Sequence, residues 1–152
     1  MITILKSGID MERITNNFTM EELTASATAK RLKIDNTPTK EVRDSLTKLT
    51  TTILQPIRDE WGKPIIITSG YRCPTLNKAV GGAKASQHMY GQAADIKVGG
   101  RKENKELFDL ILKMKDEGKI KFGQLIDEYN YQWLHISLPR VGKVNNQVLH
   151  VK

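Results

Sequence analysis

Six residues near the C-terminal end constrain this chain most. Trp133-Leu134-His135-Ile136-Ser137-Leu138 alternates without a break between aliphatic residues and Trp, His or Ser. A strand sends successive side chains to opposite faces. Leu134, Ile136 and Leu138 therefore share one face, and Trp133, His135 and Ser137 share the other. The aliphatic face needs a core, so the other face lines a surface or a polar cleft. Whatever the fold, it must contain a sheet with one wet face.

Residues 122–128 read as the partner strand, joined to 132–138 by a tight turn at Asn130-Tyr131. A turn with an even number of residues puts Gln124, Ile126 and Glu128 on the His135 face. Asp127 and Gln132 then fall with Leu134. If Tyr129 stands opposite Gln132, Glu128 stands opposite Trp133. Glu128 is then diagonal to His135, at about 7–8 Å between Cα atoms. That distance suits a carboxylate reaching a water held by His135. A bulge in the hairpin would bring Asp127 to this face instead.

The first half of the chain is helical in pattern. Thr19 followed by Glu22 fits a capping box that opens a helix to about Leu32. Val42, Leu46, Leu49, Ile53, Ile57 and Trp61 form one apolar helical stripe, in which Trp61 is read as core. Pro56 should kink that helix and Gly62 should end it. Residues 64–68 (PIIIT) read as a short buried strand, and 71–92 as a Gly-rich middle with little periodicity. A strand is expected over 93–98, a helix over 106–115 closed by Gly118, and an edge strand over 148–151. Helices first and then mostly strands make an α+β fold.

At 152 residues, one domain spanning 1–152 is expected, and a monomer. The single cysteine, Cys73, excludes an internal disulfide and a multi-Cys zinc site. It reads as buried filler. The net charge of +7 favours an anionic partner such as nucleic acid, a membrane surface or a bacterial cell wall. Nucleic acid fits poorly, because no basic helix is free of acids and no aromatic RNA-binding motif is present. No run approaches the length needed for membrane insertion. The start, apolar at Met1–Leu5 but charged from Lys6 on, is not a signal peptide. The chain is thus expected to be cytoplasmic as made, and a wall target would need a separate release route.

Two of the three histidines carry the chemistry. His88 lies in Ser86-Gln87-His88-Met89-Tyr90-Gly91-Gln92-Ala93-Ala94-Asp95, and His135 in the alternating strand. Two imidazoles and a carboxylate suit zinc, and three protein ligands leave a position for water, the catalytic arrangement. Such a site activates water and polarises a carbonyl, with a nearby carboxylate to take the proton. Glu128 is the candidate. His150 reads as a surface or edge-strand residue.

The pattern Ser86-x-His88-x-x-Gly91-x-Ala93-x-Asp95, then Trp133-x-His135, resembles the zinc D-Ala-D-Ala carboxypeptidase and L-alanyl-D-glutamate peptidase family, with the Hedgehog/DD-peptidase fold. Ser69-Gly70-Tyr71-Arg72 and Gln124-Leu125-Ile126-x-Glu128 fit it too. The resemblance covers about 18–138 and is like that of single-domain phage endolysins. It implies zinc on His88, Asp95 and His135 and a substrate of peptidoglycan stem peptides. It implies Arg72 on the substrate carboxylate or oxyanion, and Ser86 and Gln87 lining the groove. Trp133 shares the His135 face and would wall the cleft. Several members carry an acid where this chain has Gln132, which cannot act as a base. Either Glu128 is the base or the protein is a non-catalytic zinc module. Whether a terminal D-Ala is removed or an internal bond is cut stays open.

Overall fold

A short hairpin precedes the first helix in the structure, a computed structural model that describes residues 12–152. The stretch read against a signal peptide lies outside those residues. Strand β1 (Arg13–Thr15) pairs antiparallel with β2 (Phe18–Thr19). Thr19 then caps α1 (Met20–Thr24). Its hydroxyl accepts from Glu22 N, and the Glu22 carboxylate accepts from Thr19 N, as the capping box requires.

The helix expected to run on to Leu32 is two helices. Ala25 is extended, and the Ser26 hydroxyl caps α2 (Ala27–Leu32) by accepting from Ala29 N at 3.1 Å. A serine that competes for backbone donors favours a cap over a helix interior. Thr39 caps α3 (Lys40–Leu49) in the same way.

Pro56 neither breaks nor ends the apolar stripe. The turn before it, Thr50–Leu54, widens to π-helical bonding, with Gln55 N donating to Thr50 O, and α4 (Gln55–Trp61) continues. A proline cannot donate to the carbonyl four residues back and crowds it, and a wider turn makes the room. Gly62, with φ +76°, closes α4 as expected. Leu46, Leu49, Ile53 and Ile57 are fully buried, but Trp61 is only half-buried, with Lys63 Nζ 4.7 Å from its ring centre. It flanks the core rather than forming it.

The main sheet has five strands: β3 (Ile66–Ser69), β4 (Ala93–Lys97), β5 (Gln124–Glu128), β6 (Trp133–Ser137) and β7 (Gln147–Val151). Their order is β3-β4-β6-β5-β7, antiparallel except for the β5–β7 pair. The fold is α+β. β3 was expected to be buried but is an edge strand, and Ile66 is 54% exposed. The run 71–92 contains α5 (Pro74–Ala79), started by Pro74, and a 3-10 turn at Gln87–Tyr90. α6 (Arg101–Asp116) starts earlier than its apolar stripe suggests, because the Glu103 carboxylate accepts from Gly100 N at 2.9 Å.

Leu125, Leu134 and Ile136 on one sheet face join Leu107 and Ile111 of α6 and the α3–α4 stripe in one buried cluster. Hydrophobic burial thus fixes which sheet face is covered. The other face of β4, β5 and β6 is left for the site.

Candidate active site

Strand register places the first two polar groups. Asp95 of β4 is directly opposite His135 of β6, and Asp95 Oδ1 lies 3.2 Å from His135 Nδ1. The β5–β6 register is regular, with Ile126 opposite His135 and Glu128 opposite Trp133. Glu128 is therefore diagonal to His135, as strand parity requires. The turn is four residues long, Tyr129 to Gln132, and keeps the even count. Asp127 is buried on the Leu134 face and bonds to His150 on the edge strand β7. No bulge brings it round.

His88 arrives from outside the sheet. Ser86 caps the 3-10 turn by accepting from His88 N at 3.1 Å. Gly91 closes that turn at φ +69°, where a Cβ would stand 2.7 Å from Val42 O, so only glycine fits. His88 is 2% exposed, and its Nδ1 lies 2.7 Å from Gly70 O. A carbonyl only accepts, so Nδ1 carries the proton and Nε2 is left free. Nε2 lies 3.3 Å from Asp95 Oδ1. Gly70 is itself forced, since a Cβ there would stand 2.2 Å from Leu23 O.

His88, Asp95 and His135 can each offer one ligand atom, all within 4.8 Å of one another. The donor set fits zinc: two imidazole nitrogens and one carboxylate oxygen, with a side open to a groove. Burial alone would raise the Asp95 carboxyl. The His135 and His88 rings beside it outweigh that and hold it well below the ordinary carboxylate range. An ionised carboxylate is what a cation requires.

The groove has a volume of about 470 Å³. Arg72, Ser86, Gln87, Glu128 and Trp133 all line it, with Arg140 and the small residues Gly81, Gly82, Ala83 and Ala85. Burial raises the Glu128 carboxyl, and the Asp95 charge adds to this. The charge of His135, the Trp133 hydrogen bond and the charge of His88 oppose it. That hydrogen bond runs from Trp133 Nε1 to Glu128 Oε2 at 3.2 Å. Arg72 has a buried Nε without a partner among the described residues. Such a donor is costly unless something in the groove accepts from it. Gln87 is buried, and its amide donates to Leu138 O at 3.2 Å and Gln92 Oε1 at 3.3 Å. It holds the groove wall to the end of β6.

Two asparagines that the sequence reading did not single out hold these groups in place. Asn36 donates to Thr24 O and Tyr71 O and accepts from Cys73 N, which brackets Arg72. Asn104, fully buried in α6, accepts from Val98 N and donates to Tyr131 O and Gln132 O. It ties down a turn whose Tyr129, Asn130 and Tyr131 all have positive φ. An asparagine in a loop or an amphipathic helix carries no periodic signal, so neither was legible. Asn104→Ala leaves four backbone groups without this partner: Val98 N and the carbonyls of Gly99, Tyr131 and Gln132. It is expected to cost about 2–4 kcal/mol in urea melts and to slow any reaction that needs Glu128 in register.

A His/Asp/His donor set, open on one side and faced by a carboxylate and an arginine, is the arrangement that metal-dependent hydrolysis requires. The chain belongs to the Peptidase M15 family, whose model matches residues 16–137. A stretch of 49 residues is 49% identical to the zinc D-Ala-D-Ala carboxypeptidase of Streptomyces albus G. It covers 32% of this chain and 19% of that protein.

Proposed function

We propose that this protein is a zinc-dependent peptidase that hydrolyses peptidoglycan stem peptides, either as a D-Ala-D-Ala carboxypeptidase or as an L-Ala-D-Glu endopeptidase. One observation carries the reading. His88, Asp95 and His135 converge on a groove that Glu128 and Arg72 also line. Membership of Peptidase M15 supports it, and so does the similarity to a protein named for zinc and D-Ala-D-Ala.

His88, Asp95 and His135 would hold the zinc, which when bound acidifies water and polarises a carbonyl. Glu128 takes the proton that water gives up and passes it to the leaving amine. The Trp133 N–H keeps the Glu128 carboxylate aimed into the groove. Arg72, whose buried Nε has no partner among the described residues, takes the substrate carboxylate or the oxyanion that develops at the scissile carbonyl. Ser86, Gln87 and Trp133 wall the peptide. The net charge of +7 favours a polyanionic cell wall. No helix among the described residues is long and apolar enough to cross a membrane. The protein is read as a monomer made in the cytoplasm that meets the wall after release, as a phage endolysin does.

Gln132 supports a second reading, a zinc module that recognises wall without cutting it. Its side chain cannot serve as a base. Mass spectrometry of purified peptidoglycan, digested with and without a chelator, separates the two. The peptidase is expected to give fragments that disappear with the chelator, and their masses name the bond. No fragments from several wall types, by protein shown to hold zinc, would favour the module.

A further inference from the structure

The groove contains a second arginine that the proposed chemistry does not use. Arg140 lies in the loop between β6 and β7 and lines the same groove as Arg72. Its backbone is braced on both sides. Arg140 N donates to Asn145 Oδ1 at 3.0 Å, and Asn145 Nδ2 donates back to Arg140 O at 3.2 Å. Two residues earlier, Leu138 N donates to Gln92 O at 2.8 Å, and Leu138 O accepts from Gln87. The segment is therefore pinned to the stretch that carries His88.

The side chain is exposed, and among the described residues it enters no ion pair. Arg43, by contrast, is paired with Glu12. The two groove arginines also differ in their surroundings. Arg72 N donates to His88 O at 3.0 Å, whereas Arg140 comes from the loop after β6, beyond the end of the strand that carries His135. Arg72 belongs to the reacting centre. Arg140 stands apart from it, an uncompensated cation facing the groove.

One guanidinium suffices for the carboxylate or oxyanion at the scissile bond. A second one, away from that bond, matches a second carboxylate on the substrate, because its planar fork of donors fits carboxylate geometry. We infer that Arg140 forms a second anion subsite of the groove, which takes a substrate carboxylate remote from the scissile bond. This rests on the peptidase reading for its substrate class. A stem peptide has two sources of such a group: the α-carboxyl of its γ-linked D-glutamate, which is remote when the D-Ala-D-Ala bond is cut, and the extra carboxyl of diaminopimelate where that replaces lysine, which is remote from either bond.

The test uses three synthetic stem pentapeptides. One carries D-glutamate and lysine, a second carries D-isoglutamine and lysine, and a third carries D-isoglutamine and diaminopimelate. Their Kd values are measured by calorimetry on zinc-loaded Glu128→Gln protein, with and without Arg140→Gln, and kcat/KM is measured in the Glu128 background. At least one peptide with the extra carboxylate is expected to bind about tenfold tighter than the isoglutamine–lysine peptide. Arg140→Gln should reduce that ratio to about one, and Arg140→Lys should restore part of it. Each ratio is taken within one variant, so a general loss of folding does not imitate the effect. Which peptide gains identifies the carboxylate. No preference with Arg140 present, or a preference that survives Arg140→Gln, overturns the subsite. Arg140-dependent binding without cleavage of any peptide would keep the subsite and sink the peptidase reading. Cleavage without preference would do the reverse.

Discussion

His88→Ala is expected to remove both bound zinc and peptide hydrolysis, with activity down by about 10⁴-fold or more, the order that activation of water is worth. The side chain provides two things at once. Nε2 lies beside Asp95, and Nδ1 is fixed by the Gly70 carbonyl. Alanine takes away the ligand atom and leaves Gly70 O unpaired in a buried place. That second loss destabilises the protein by about 1–3 kcal/mol, so a folding control is needed. His135→Ala supplies it: the strand face it leaves opens onto the groove, and the aliphatic face of β6 stays packed. Zinc content by elemental analysis, activity, and far-ultraviolet circular dichroism decide the matter. Folded His135→Ala protein with full zinc and activity would dismiss the His/Asp/His site.

Glu128→Gln is expected to separate binding from chemistry. Zinc content should be unchanged, because Glu128 is not one of the three converging donors. Activity should fall by about 10²–10⁴-fold, the usual worth of a positioned general base. The amide is nearly isosteric, and its carbonyl oxygen can still accept from Trp133 Nε1. The loss is then chemical rather than structural. The sign of the pH dependence follows from the same group. Burial, helped by the Asp95 charge, raises the Glu128 carboxyl above its ordinary value. A base works only when deprotonated, so kcat/KM should fall as pH drops through that raised value. The residual activity of Glu128→Gln should lack this acid limb. Full activity in that variant would mean another group takes the proton.

Much of this arrangement was legible before any tertiary structure. Alternation in β6 separated His135 from Leu134 and Ile136, and hairpin parity put Glu128 on the His135 side and Asp127 on the other. The stripe from Val42 to Ile57 is buried as its spacing required. The misses have physical causes. A β-branched run reads as a buried strand, but whether Ile66 is covered depends on strand order, which leaves β3 at an edge. α5 spans too few residues to show a period. The Ser26 cap and the π-helical turn before Pro56 are local hydrogen-bonding choices that an apolar stripe does not reveal.

The sequence by itself determined what backbone geometry imposes over a few residues: which side chains share a face, where the first helix starts, and which residue types carry the chemistry. Tertiary structure alone decided that Asp95 stands opposite His135, forty residues on. It also decided that Gly70 orients His88, that Asn36 and Asn104 hold Arg72 and the Glu128 turn in place, and that Arg140 faces the same groove. Periodicity is a property of the local chain. Convergence is set by how distant segments bury one shared core, and only the folded chain satisfies that condition.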